Sequence, residues 1–206
     1  MLSSLITALV GALVFGAAGL GGIAAATALL PRLPRFEDGP PQFDVPPAVL
    51  IAGAAVLGAI VGFQDLPIGH LVVAAIVVLC LVAIWYCDAR TGIVPDLFTL
   101  PPLALLIVYQ LLHQNPMVIA SAAAVFAPFA ILAALSKGQG MGWGDAKLAA
   151  LGGAFLGLST AAGAFIIASF VAGVVSWIRF RSRTAKIAFA PYLVAAIAVS
   201  LALNLT

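Results

Sequence analysis

Between Lys147 and Arg179 the chain runs for 31 residues, Leu148 to Ile178, without one charged side chain. As a single α-helix this run would be about 46 Å long at 1.5 Å per residue. The hydrocarbon core of a bilayer is roughly 30 Å thick, so one helix would fit only with steep tilt. As two helices turning near Gly157-Leu158-Ser159-Thr160, each half is somewhat short. The basic residues decide between the two. With two helices, Arg32, Arg35, Arg90, Lys137, Lys147, Arg179, Arg181, Arg183 and Lys186 all fall on one side; with one helix, the cluster from Arg179 to Lys186 moves to the opposite face. The positive-inside rule favours the first arrangement. The sequence therefore predicts about eight transmembrane or partly spanning helices, with both termini outside.

Composition supports a membrane protein. Hydrophobic residues make up 64% of the 206 and charged residues 8%, where a soluble domain carries roughly 25% charged. The fold class expected is an all-α polytopic bundle forming one membrane-embedded domain over residues 1–206. Spans are predicted at 3–30, 47–63, 71–87, 98–112 and 117–135, then the two halves of the long run, then 187–204. No Lys or Arg precedes the first apolar run, which reads as a retained span rather than a signal peptide. Residues 31–46 form a Pro-rich polar loop. Gly58 and Gly62 have the spacing of a tight helix contact, weak by itself as a sign of dimerisation. Cys80 and Cys87 read as small packing residues, because seven helical residues separate them by about 10.5 Å, beyond disulfide reach.

The polar interruptions carry the chemistry. In Gly138-Gln139-Gly140-Met141-Gly142-Trp143-Gly144-Asp145-Ala146-Lys147-Leu148, glycines allow close backbone approach and lead into an aspartate at the start of an apolar run. A second aspartate, Asp88, ends another apolar run ahead of Ile93-Val94-Pro95-Asp96. The predicted topology puts both on the cytoplasmic side at helix ends. The helix after Asp145 is short, so its start is expected below the membrane surface in a wet, protein-lined cavity. Taken singly, Asp145 could be a helix N-cap and Asp88 a solvated residue where a helix leaves the membrane. Together they suggest a carboxyl dyad: one group holds a proton, the other accepts one from a water that attacks a peptide carbonyl. Trp143 is either an interfacial anchor or a wall of the substrate groove.

These residues resemble the prepilin peptidase family, membrane aspartyl proteases of the Gly-x-Gly-Asp type. The matching pieces are Gly142-Trp143-Gly144-Asp145 with Lys147-Leu148, and Asp88 with Ile93-Val94-Pro95-Asp96. Leu151-Gly152-Gly153-Ala154-Phe155-Leu156-Gly157 and the proline-containing segment Ile187-Ala188-Phe189-Ala190-Pro191-Tyr192-Leu193 extend the likeness over about residues 71–200. The resemblance implies removal of a basic leader from type IV prepilins or pseudopilins at the cytoplasmic face of a bacterial inner membrane, ahead of the apolar segment. It implies Asp88 and Asp145 as the catalytic pair, with Gly142, Trp143, Gly144, Lys147, Pro95 and Asp96 as the expected substrate contacts. No cofactor, metal or nucleic-acid partner is expected; the partners are the substrate and the lipid bilayer. Larger members also methylate the new N-terminus and carry a cytoplasmic insert after the first span. Here that loop shrinks to 31–46, so a peptidase without methylation is expected. Glu37, Asp38, Asp44 and Asp96 could draw a basic leader to the cytoplasmic mouth.

Rival readings have weaker support. Presenilin-like proteases pair a Gly-x-Gly-Asp with Tyr-Asp inside a span, whereas Cys87 precedes Asp88 here. A small proton- or cation-coupled transporter could use Asp88 and Asp145 as a relay, but its expected mark is an ionisable residue near mid-span. The sequence puts none there. His70 and His113 face the other side and receive no catalytic role.

Overall fold

The computed structural model describes residues 2–34, 45–64, 66–136, 141–180 and 188–203. Among these residues it contains eight α-helices and no strand: α1 (Leu2–Leu29), α2 (Pro47–Gly62), α3 (Ile68–Thr91), α4 (Leu100–Leu112), α5 (Met117–Leu135), α6 (Trp143–Leu156), α7 (Leu158–Phe180) and α8 (Ala190–Ala202). The protein is an all-α polytopic membrane bundle. Among the described residues, four stretches are long and apolar enough to cross a bilayer: Ser3–Arg32, Ile68–Thr91, Met117–Leu135 and Leu158–Ile178. Prolines sit in the first turns of α2, α4 and α8, where the missing N–H is one that the helix would leave unpaired anyway.

The long apolar run does turn. α6 ends at Leu156, and Gly157 takes φ 78° and ψ 168° before α7 begins at Leu158. A backbone with positive φ there is open to glycine and strained for other residues. α3 runs further than the sequence predicts, ending at Thr91 rather than at residue 87. Gly92 closes it in the left-handed conformation, φ 67°, with its N–H donating to the Asp88 carbonyl at 2.8 Å. That is the usual way a glycine stops a helix.

α1 packs along α2 and α3. Gly58 and Gly62 are used within the chain rather than between chains. A Cβ on Gly58 would collide with the Gly11 carbonyl and with Phe15, and one on Gly62 would collide with the Thr7 carbonyl. α6 lies at the centre, packed by α4, α5, α7 and α8. Asp145, Ala146, Leu148 to Ala154 and Leu156 are all buried. Its small residues allow this: a Cβ on Gly153 would stand 2.8 Å from the Ser121 carbonyl of α5. Cys80 and Cys87 are buried free thiols in the same core, in agreement with their reading as packing residues. The outer faces are apolar, with Leu13, Ile166 and Phe170 exposed, as expected where lipid replaces water as the solvent.

Candidate active site

Asp88 stands in the last turn of α3, not in a loop, and is 4% exposed. The solvated reading of this residue is therefore incorrect. The turn around it is fixed from several sides. Thr91 Oγ1 donates to the Cys87 carbonyl at 2.8 Å and accepts from the Ile93 N–H at 3.3 Å. The Arg90 guanidinium lies 4.3 Å from the centre of the Tyr86 ring. From the far end of the chain, the Ala190 backbone N–H faces the Asp88 carboxyl as a hydrogen-bond donor. Ala190 opens α8, so its amide is among those a helix start leaves without an internal partner. Anions are favoured at such a position.

Asp145 is in the first turn of α6 and 8% exposed. It is not the N-cap; Gly142 is, with extended backbone at φ −83° and ψ 150°. Instead, Asp145 Oδ2 accepts from the Gly142 N–H at 3.2 Å, the carboxylate half of a capping box. Burial raises the Asp145 carboxyl to about 6, against the lowering effect of the Gly142 amide.

The two carboxyls come together although they are distant in sequence: the charge of Asp145 acts on Asp88. Asp88 Oδ2 and Asp145 Oδ1 are both buried without a hydrogen-bond partner among the described residues. Buried polar atoms are rarely left so, and an unpaired oxygen on each of two carboxyls close enough for one to feel the other's charge can take up a proton or a water. Both groups are enclosed by packed helices rather than open to the wet cavity that the sequence predicts.

The residues expected around the pair divide. Gly144 packs directly on the loop after α3: a Cβ there would lie 2.6 Å from Val94 Cβ. Pro95 is buried. Lys147 Nζ is 2.6 Å from Asp96 Oδ1, an ion pair between α6, which carries Asp145, and the turn that follows α3. Gly142 and Trp143 are exposed at the start of α6, Trp143 to 51%. Glu37, Asp38 and Asp44 of the expected leader-attracting set lie outside the described residues, as do Gly138 to Gly140. The Ala190 amide is the contribution that side-chain reasoning missed; its only signal is the helix-opening Pro191 that follows. His70 and His113 cluster with Tyr109, whose hydroxyl is 3.1 Å from His70 Nδ1. His70 and Asp88 lie at opposite ends of α3, about 27 Å apart along the helix at 1.5 Å per residue.

Fold and site together define a multi-pass helical membrane protein with two interacting carboxyls enclosed at helix ends. The family described as the type IV leader peptidase family matches residues 75–177, a stretch that runs from α3 into α7 and contains both aspartates. The chain belongs to that family and is a peptidase. Comparison with curated proteins and with solved structures gives no match.

Proposed function

We propose that this chain is an aspartic-type leader peptidase that removes the basic leader from type IV prepilins or pseudopilins, with Asp88 and Asp145 as its catalytic pair. The observation that carries the reading is the meeting of two buried carboxyls, each with one unpaired oxygen, in a chain of this family. Two such groups cannot both ionise cheaply, so the pair keeps one proton. The ionised member takes a proton from a water, and the resulting hydroxide attacks the scissile carbonyl. The protonated member donates to the carbonyl oxygen as charge develops on it. Collapse of the tetrahedral intermediate returns that proton toward the leaving amine, and the pair is restored. The proton belongs to the dyad, so neither aspartate is assigned as acid or base.

Orientation follows from charge. The topology read from the sequence puts the nine basic residues on one side of the membrane, which favours a cytoplasmic location for the pair. The shortness of the 31–46 loop supports a peptidase that leaves the new N-terminus unmethylated, because the resemblance associates methylation with a larger insert there. Co-expression with a type IV prepilin tests the proposal. Wild type removes the leader, and Asp88→Asn and Asp145→Asn accumulate uncut precursor at equal protein level. Processing by either variant at the wild-type rate overturns the assignment, and an N-methylated product from the purified protein overturns the absence of methylation.

A further inference from the structure

A groove of about 650 Å³ runs between α7 and α8, lined by Gly163, Ala164, Ala168, Tyr192, Ala195 and Ala196 among others. We propose that it seats the apolar helical segment that follows the cleaved bond of the substrate; this rests on the leader-peptidase reading above.

Three features point to that occupant. First, one end of the groove lies within a helical turn, along α8, of the amide that faces the acid pair. Tyr192 lines it and stands two residues after Ala190, whose amide faces Asp88. From Tyr192 the lining continues along α8 to Leu203, about 16 Å at 1.5 Å per residue. A substrate cut just ahead of its apolar segment needs this layout: the bond at the Tyr192 end, the helix leading away across the membrane. Second, the wall changes character within one helix. α7 presents Ile166, Phe170 and Trp177 outward, each more than 70% exposed, whereas its groove side carries Gly163, Ala164 and Ala168 alongside Ile167 and Val171. Small residues let another helix backbone come close, which is how helices associate where lipid removes the usual hydrophobic drive. Third, the place where a side chain is missing is open. A Cβ on Gly163 would meet nothing within 4 Å, as at the helical glycines Gly53 and Gly173, but of these only Gly163 lines the groove, where a docked helix would use the space.

The same opening supplies the test. Gly163→Leu projects into the groove from a Cβ that meets nothing within 4 Å, and in a helix it removes the penalty of glycine, so loss of folding is not expected. Gly173, on α7 outside the groove, also has nothing within 4 Å of an added Cβ and provides the control. The probe is a synthetic substrate with a Lys-rich leader followed by about 20 apolar residues, reconstituted with the full-length protein in phospholipid vesicles. Gly163→Leu is expected to raise KM by about tenfold, equivalent to about 1.4 kcal/mol of binding, with Gly173→Leu matching wild type. In an Asp88→Asn background, a benzophenone side chain at position 163 should cross-link to the apolar segment, and one at 173 should not. Cross-links from 163 to lipid alone, or an unchanged KM in Gly163→Leu, overturn the proposal while leaving the acid pair untouched. Failure of the peptidase reading has a different signature, equal processing by wild type and Asp88→Asn, and the cross-linking still decides what occupies the groove.

Discussion

Lys147 Nζ lies 2.6 Å from Asp96 Oδ1 and ties the beginning of α6 to the turn that follows α3. The aspartates stand close to this tie in sequence, Asp145 two residues before Lys147 in α6 and Asp88 in the closing turn of α3, eight residues before Asp96. The charge of Asp96 is therefore engaged within the chain, and its part in attracting a basic leader is reduced accordingly. The pair is partly exposed, at 30% for Lys147 and 58% for Asp96. Bridges of that kind contribute about 0–1 kcal/mol to stability.

Lys147→Met is accordingly expected to move the unfolding midpoint little and to lower kcat/KM by about tenfold, through displacement of one carboxyl against the other. Asp96→Asn should do the same, and the double variant should be no worse than either single one. A double-mutant cycle on leader cleavage checks this. Full additivity would mean that the two residues act separately.

Gly144 makes the second tie between these elements. An added methyl group would stand 2.6 Å from Val94 Cβ and 3.2 Å from the Val94 carbonyl oxygen. Gly144→Ala should push the start of α6 away from the loop and cost about 1–3 kcal/mol, the usual scale of overpacking. Val94→Ala leaves Val94 Cβ in place but removes Cγ1, which would stand 3.4 Å from the added methyl, so Gly144→Ala/Val94→Ala should recover part of the activity. Precursor processing by the two singles and the double, at matched expression, gives the answer. No recovery in the double would assign the damage to the Val94 backbone instead.

How much of this was legible beforehand differs from element to element. The helix count was legible because charge is visible in sequence: the cluster from Arg179 to Lys186 forced a turn near Gly157, and the turn is there. The end of α3 was misplaced because Asp88 and Arg90 look like the exit from a membrane. Burial of Asp88 depends on Asp145 and on α8, neither of which is near it in the chain. Gly92 was the available signal, as a glycine able to close a helix in the left-handed conformation. Asp145 read as an N-cap because the rule looks for the first capable side chain. The actual cap, Gly142, has no side chain, and Gly144 is needed as glycine by Val94, fifty residues away. The Ala190 amide left almost no trace, since every residue but proline has one and only the fold aims it.

The pH dependence should differ from that of an ordinary carboxyl. Burial raises Asp145 to about 6, against the usual range near 4. Below that point both members of the dyad are protonated and no base remains; raising the pH ionises one of them and creates the base. The acid limb of kcat/KM is therefore expected to rise through about pH 6. At higher pH the last shared proton leaves, the carbonyl loses its donor and the rate falls, giving a bell whose limbs belong to the pair. Rates on a soluble leader peptide from about pH 4 to about pH 9 would trace it. An acid limb near 4 would indicate a hydrated Asp145 during turnover, hence an open site.

The turn at Gly157 permits a sharper test of the fold. With φ 78° and ψ 168°, it occupies backbone space that is nearly closed to residues with a Cβ, at a cost of about 1–3 kcal/mol. Nothing lies within 4 Å of a Cβ built there, so steric contact with the rest of the protein does not enter. Gly157→Ala should therefore destabilise the bundle by backbone strain alone. Gly173→Ala, equally uncrowded but helical, should be neutral or stabilising by about 1 kcal/mol, since alanine is the better helix former. Unfolding midpoints of the two variants in one detergent should move in opposite directions. If they move together, α6 and α7 do not depend on this turn, and the 31-residue run behaves more nearly as a single helix.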